Sequence, residues 1–327
     1  MRVVFLIQGR QVAASRYRVL QYLPFLEAGG IEPVVFEFPR SLGAWLSLYG
    51  QLRTADILFV QRKRLPLSAL ALLKGRGKRI IYDFDDAVMF KDSLSEKPFS
   101  LRRRMSFQRM LRFSDLVIAG NRFLKGEAQK YHGNVQVLPT PIDADRYRAK
   151  EYRETKTVNI GWIGSSSTIR YMESHKNVWE ALGRKYPHVT LTIICDTFME
   201  TTMIPLRKVR WSYDTEIDDL HHLDIGVMPL FMDLWSEGKC GFKIIQYLGV
   251  GIPAVCTPVG INRDVVDDGA NGFWAVKHEE WLEKLSRLIE DPDLRMKMGR
   301  AGREKIMQHY TVQKCAPLLT EWIKSLG

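Results

Sequence analysis

Cysteine and histidine are scarce in this 327-residue sequence, at 4 and 7. Cys195, Cys240, Cys256 and Cys315 stand far apart with no CxxC pair. That excludes a disulfide-dense scaffold and favours reduced thiols in a cytosolic compartment. No HxxxH occurs, so no metal site can be read. No run approaches the roughly 18 apolar residues of a membrane span. The apolar residues 3–7 meet Gln8, Gly9 and Arg10 at once, too short a stretch for the core of a signal peptide. Short repeats and low-complexity segments are missing too. What remains is 46% hydrophobic and 26% charged, which excludes a disordered or fibrous chain.

Acidic residues are thin in one half only. Residues 1–150 hold 26 Lys+Arg against 13 Asp+Glu, a net +13, whereas residues 151–327 hold 22 against 24. A surplus confined to one half points to phosphates, an anionic membrane surface or nucleic acid, with a merely soluble basic surface as the plain reading. No nucleic-acid-binding motif or aromatic–basic platform accompanies it.

Short Val/Ile/Leu-rich runs at 3–7, 33–38, 57–60, 79–82, 116–119 and 135–138 read as strands buried on both faces. A helix is expected over 17–28, closed by Gly29 and Gly30. The series restarts with strands at 158–163, 190–195, 225–229 and 253–257, and helices near 171–185 and 242–250. Helices from 281, from 295 to 309, and to the C-terminus complete it. The expected organisation is α/β, with Rossmann-like domains over 1–140 and 158–310. A linker would cover 141–157 and a terminal helix 311–327, packing back on the first domain. Ligands in such folds sit at the carboxyl ends of the strands.

Two motifs follow strands of the second domain. Gly164, Ser165, Ser166, Ser167 and Thr168 combine close backbone approach with hydroxyls and amides suited to phosphate; helix capping is the competing reading. The set is neither GxGxxG nor a P-loop. Gly238, Lys239, Gly241 and Phe242 lead into a helix carrying Lys243 and Gln246, a cation and an amide three residues apart, as a diphosphate and a ribose diol require. In the first domain, Asp83, Asp85 and Asp86 follow a strand and could position or deprotonate an acceptor hydroxyl. Gly9, Arg10, Arg16 and Arg18 border another strand end, where arginines suit a phosphorylated acceptor. Gln61, Arg62, Lys63 and Arg64 follow a third strand. Residues 101–113 hold five arginines among Leu101, Met105, Phe107, Met110 and Leu111, and read either as an interfacial helix on anionic lipid or as a packed helix with a charged face.

The chain resembles the GT-B glycosyltransferases, and family 4-like members in particular. The resemblance lies in residues 224–230, 238–248, 251–255, 258–260 and 268–273, with 137–143 similar to the family's interdomain signature and 291–295 to its late helix start. It implies two Rossmann-like domains with parallel sheets facing across a cleft. It implies a nucleoside diphosphate sugar donor, uridine- or guanosine-linked, held mainly by the second domain. Retention of configuration and independence of any metal or cofactor are further implications. Asp85 stands where relatives carry a histidine, and Tyr213 lies in the region that forms the nucleobase pocket. The sequence departs from the family's paired glutamates: the second falls on Gln246, and the first on Gly238 with Glu237 one place away. The usual Arg and Lys after the first strand are replaced by the turn at 164–168, which leaves Lys239 and Lys243 to supply positive charge. The implied activity is sugar transfer to a glycan or lipid-linked acceptor in cell-surface polysaccharide or glycolipid synthesis, on the inner face of the membrane. A nucleotide-sugar-binding protein without transferase activity is the alternative.

Overall fold

The computed structural model describes residues 1–152 and 156–327; residues 153–155 of the expected linker lie outside them. The chain forms two compact units. One comprises Met1–Pro141, Asp233–Cys240 and Val312–Gly327, the other Ile142–Met232 and Gly241–Thr311.

The first unit is built on β1 (Arg2–Ile7), β2 (Glu32–Glu37), β3 (Ile57–Gln61), β4 (Arg79–Phe84), β5 (Leu116–Ala119) and β6 (Val135–Val137). They pair in parallel, in the order β2-β1-β3-β4-β5-β6. Side chains alternate across a strand, so apolar runs feed two cores. Val4, Leu6, Leu58 and Val60 face helices Leu67–Gly75 and Leu101–Phe113. Val3, Phe5, Ile57 and Phe59 pack with Val312, Leu319 and Ile323 of the C-terminal helix Val312–Lys324.

The second unit repeats the plan with β7 (Val158–Ile163), β8 (Val189–Cys195), β9 (Leu206–Arg210), β10 (Ile225–Met228), β11 (Ala254–Cys256) and β12 (Gly272–Trp274). These are also parallel, in the order β12-β11-β10-β7-β8-β9. Expected and observed strands differ at β9 and β12. β9 carries Arg207, Lys208 and Arg210 on a largely exposed edge, and β12 has three residues, so neither shows the buried apolar run that marks its neighbours. The helix expected at 17–28 is three pieces, Ala13–Arg18, a 3-10 turn Leu20–Tyr22, and Leu23–Ala28, whose first turn takes Pro24 because proline has no N–H to donate and none is needed there.

One segment departs from the expected boundaries. Residues 233–240, expected in the second domain, belong to the first unit. Asp233 caps the short helix Leu234–Glu237, and the Asn121 side chain donates to the carbonyls of Glu237 and Lys239, each at 3.0 Å. The Cys240 thiol donates to the Asp85 carbonyl at 2.8 Å. Gly120 lies so close beneath that a Cβ there would meet Cys240 Sγ at 2.4 Å. Gly120→Ala should therefore lift the segment and cost about 1–3 kcal/mol, the usual range for overpacking. Denaturant midpoints and limited proteolysis at 233–240 check this; an unchanged midpoint and cleavage rate would count against the docking.

Candidate functional site

The carboxyl ends of β3 and β4 are neighbours, Gln61 pairing with Asp83. Asp83 and Arg18 are both buried and bonded to each other, with Arg18 Nε 3.2 Å from Asp83 Oδ2. Burial opposes charge on Arg18, but Asp83 outweighs it and raises the guanidinium's pKa. Burial pushes the Asp83 carboxyl up, and Arg18 opposes that rise. The expectation that Arg18 and Asp83 contact an acceptor is corrected accordingly: each has the other as its partner, away from solvent.

Arg62, at φ +58°, occupies the left-handed region, which costs a long side chain about 1–2 kcal/mol. Its N–H donates to the Asp83 carbonyl at 2.6 Å and its own carbonyl accepts from the Tyr82 hydroxyl at 3.2 Å, which hold the turn. The guanidinium then meets Asp86 directly and Asp85 at 3.7 Å. Burial disfavours charge on Arg62, yet Asp85 and Asp86 raise its pKa. Lys239 Nζ reaches Asp86 at 3.1 Å and lies 4.8 Å from the Trp235 ring. Lys239, expected beside the donor in the second domain, is thus a first-unit residue. Burial and the neighbouring carboxylates push the Cys240 thiol well above its ordinary value, so it stays a protonated donor. Asp85 keeps one buried carboxylate oxygen with no hydrogen bond. Arg10 is exposed, its amide donating to Glu37 at 2.9 Å beyond Gly9, and Arg16 lies 5.9 Å from the Tyr17 ring.

In the second unit Trp162, buried on β7, joins the two sequence motifs. Gly164 packs on its ring, where a Cβ would approach to 2.2 Å, and Lys243 Nζ stands 5.5 Å from the ring centroid. Gly241, at φ +58° and with Ile261 where a Cβ would go, starts the helix Phe242–Gly249. The Tyr247 hydroxyl accepts from the Ile163 amide at 3.0 Å, fixing that helix to β7. Ser165 and Ser166 are exposed in the turn, and Asp196, just past β8, holds it: Ser166 donates its amide at 2.7 Å and its hydroxyl at 3.0 Å. Sequence reasoning missed Asp196, although its place after a strand is the signal that singled out Asp83 to Asp86.

Gln246 is corrected as a ligand group. It is buried and donates to the Tyr147 hydroxyl at 2.8 Å, which donates in turn to Glu216 at 2.8 Å. Its helix turns that face into the core. Tyr213 is exposed, with the Arg146 guanidinium 3.5 Å from its ring centroid. Among the described residues no three His, Cys, Asp or Glu are grouped to hold a metal ion.

Residues 209–305 match the family model described as Glycosyl transferases group 1. The structure is similar to that of Anabaena HepE solved with UDP and glucose, at 17% identity over 99% of this chain and 100% of that one, TM-score 0.71. It is also similar to sucrose-phosphate synthase from Thermosynechococcus elongatus, at 11% identity over 100% and 99%, TM-score 0.76. Trehalose synthase of Pyrococcus horikoshii is 22% identical over 130 residues, 37% of this chain, and the match spans 31% of that protein's length. The family match thus covers residues 209–305 of the second unit, and the whole chain shares the GT-B fold of these solved structures.

The Asp196 carboxyl sits below its ordinary pKa through bonds from the Cys195 thiol and from the Ser166 amide and hydroxyl. A depressed carboxylate stabilises above its unfolded value and loses that contribution only as pH falls through the lower folded one, so the turn keeps its anchor from about pH 5 to 8. In hydrogen exchange across that range the Ser166 amide should be protected, and Asp196→Ala should speed its exchange about tenfold. Equal rates in both proteins would remove Asp196 from this role.

Proposed function

We propose that the protein transfers a sugar from a nucleoside diphosphate sugar, uridine- or guanosine-linked, to a glycan or lipid-linked acceptor. The observation that carries this reading is the junction at Trp162, where the Gly164–Ser165–Ser166 turn and Lys243 meet within the second unit. A diphosphate there would take its countercharge from Lys243 and from the amides at the start of helix Phe242–Gly249, with no metal ion required. In the reaction the anomeric carbon–phosphate oxygen bond breaks and its electron pair leaves with the diphosphate. The acceptor oxygen bonds to the anomeric carbon, with retention, and its proton passes to the departing diphosphate oxygen. Stabilising the departing diphosphate is the main electrostatic task. Asp85 is only partly buried, with Arg62 beside its Oδ1, and its other carboxylate oxygen accepts the hydrogen bond of the acceptor hydroxyl. The solved complexes of HepE with UDP and UDP-glucose support the uridine arm. The net +13 of residues 1–150 supports an anionic acceptor in cell-surface polysaccharide or glycolipid synthesis at the inner membrane face. The inward turn of Gln246 favours one second reading, a binding protein that holds nucleotide sugars without transferring them.

Nucleotide sugars screened by thermal shift, followed by turnover with membrane lipid extracts, separate these readings. Stabilisation without hydrolysis or transfer supports the binding protein, and no stabilisation by any nucleotide sugar overturns both. Lys243→Ala should weaken donor binding by about tenfold or more, the loss of one charge-assisted contact; wild-type affinity would remove Lys243 from the site. In flotation with anionic liposomes, neutralising Arg102, Arg103 and Arg104 should reduce binding; unchanged flotation rejects helix Leu101–Phe113 as the contact.

A further inference from the structure

The first unit contains an open cavity of about 1280 Å³ at the carboxyl ends of its strands. Gln8 follows β1, Phe38 follows β2 and Arg62 follows β3 on its wall, while Leu101–Phe113 supplies the opposite lining from its first turns. Two cationic stretches that are 40 residues apart in sequence therefore share one space: Arg62, Lys63 and Arg64 with Arg102, Arg103 and Arg109. Its lining residues include no carboxylate.

The cations differ in how they are answered. Arg62 is neutralised by Asp85 and Asp86. Arg64 and Arg103 each donate to a backbone carbonyl, Val88 at 3.1 Å and Phe90 at 2.6 Å, which fixes their direction and leaves their charge uncancelled. Among the described residues Lys63, Arg102 and Arg109 have no carboxylate partner, and Arg109 Nε is buried without a hydrogen bond. Burial, joined by the charges of Arg103, Arg102 and Arg109, lowers the Arg64 pKa. Like charges gathered in a concave, partly desolvated space repel one another, and a multivalent anion relieves that repulsion.

The rim has a different character. Leu101 and Met105, 75% and 58% exposed, line the same cavity, and Phe99, two residues before Leu101, is 63% exposed. Large apolar side chains held in water next to concentrated positive charge match a ligand that is anionic at one end and apolar at the other.

We propose that this cavity receives the phosphate or diphosphate head of a lipid-linked acceptor, with the lipid chain leaving across Leu101 and Met105. The proposal rests on the glycosyl-transfer reading for the word acceptor, and on the cavity alone for the ligand's chemistry. Arginine forks suit the oxygens of a diphosphate, and Lys63 adds a point charge.

Calorimetric titration of the full chain, with UDP saturating, tests it using farnesyl diphosphate, inorganic pyrophosphate and farnesol. Farnesyl diphosphate should bind about tenfold or more tightly than pyrophosphate, and farnesol weakly. Combined Lys63→Ala, Arg102→Ala and Arg109→Ala should weaken farnesyl diphosphate by about tenfold or more. Arg53→Ala, Arg76→Ala and Lys314→Ala, which remove the same charge from exposed positions outside the cavity, should leave it unchanged. Equal affinity for pyrophosphate and farnesyl diphosphate overturns the lipid-linked source. Equal loss in the two triple variants, or no binding of either phosphate, overturns the cavity. Normal UDP binding with no phosphate binding sinks this proposal alone, and farnesyl diphosphate binding without any response to UDP sinks the transferase reading and leaves the cavity.

Discussion

The Arg18–Asp83 pair organises the first unit's strand ends. It joins the end of β4 to helix Ala13–Arg18, and Arg18 also donates to the carbonyl of Leu138 just past β6. Burying two ions costs several kcal/mol each, and their attraction repays that only when geometry and extra hydrogen bonds are good. Three chain segments meet here because few other arrangements would satisfy both charges. The pair also decides the chemistry around it. With Asp83 committed inward, Asp85 and Asp86 are the carboxylates left to meet Arg62 and Lys239.

Sequence pattern revealed the sheets well where strands are buried on both faces. Residues 116–119 and 158–163 coincide with β5 and β7, where all but Asn159 are buried and apolar residues or glycine leave no solvent face. Pattern failed where that condition fails. β9 is a largely exposed edge with three cations among five residues, and β12 is too short for any period. Helices Leu42–Leu52 and Leu67–Gly75 also went unread, being rich in leucine and poor in the charges that mark a helix face.

The candidate site was legible as residue types and strand ends, less so as partnerships. Gly164 and Lys243 were visible as separate motifs, but their meeting at Trp162 depends on β7 and Phe242–Gly249 packing through Tyr247. Gln246 carries the right chemistry at the right spacing, and its helical phase turns it inward to Tyr147. Lys239 neighbours Lys243 in sequence, yet the thiol of Cys240 and the side chain of Asn121 fix its segment on the other unit. Local spacing cannot report such choices, since each is made by a residue about 80 or more positions away.

The charge surplus gains meaning from the same partnerships. A basic surface in water is weakly informative, because exposed cations are screened within about 10 Å at ordinary salt. The carboxylates at these strand ends answer Arg18, Arg62 and Lys239, and they lie outside the cavity wall. Lys63 and Arg102, both exposed, and the partly buried Arg109 are gathered around one cavity whose lining includes no acid. Part of the +13 is thus held in one concave space by the fold, and that location gives an anion a reason to bind there.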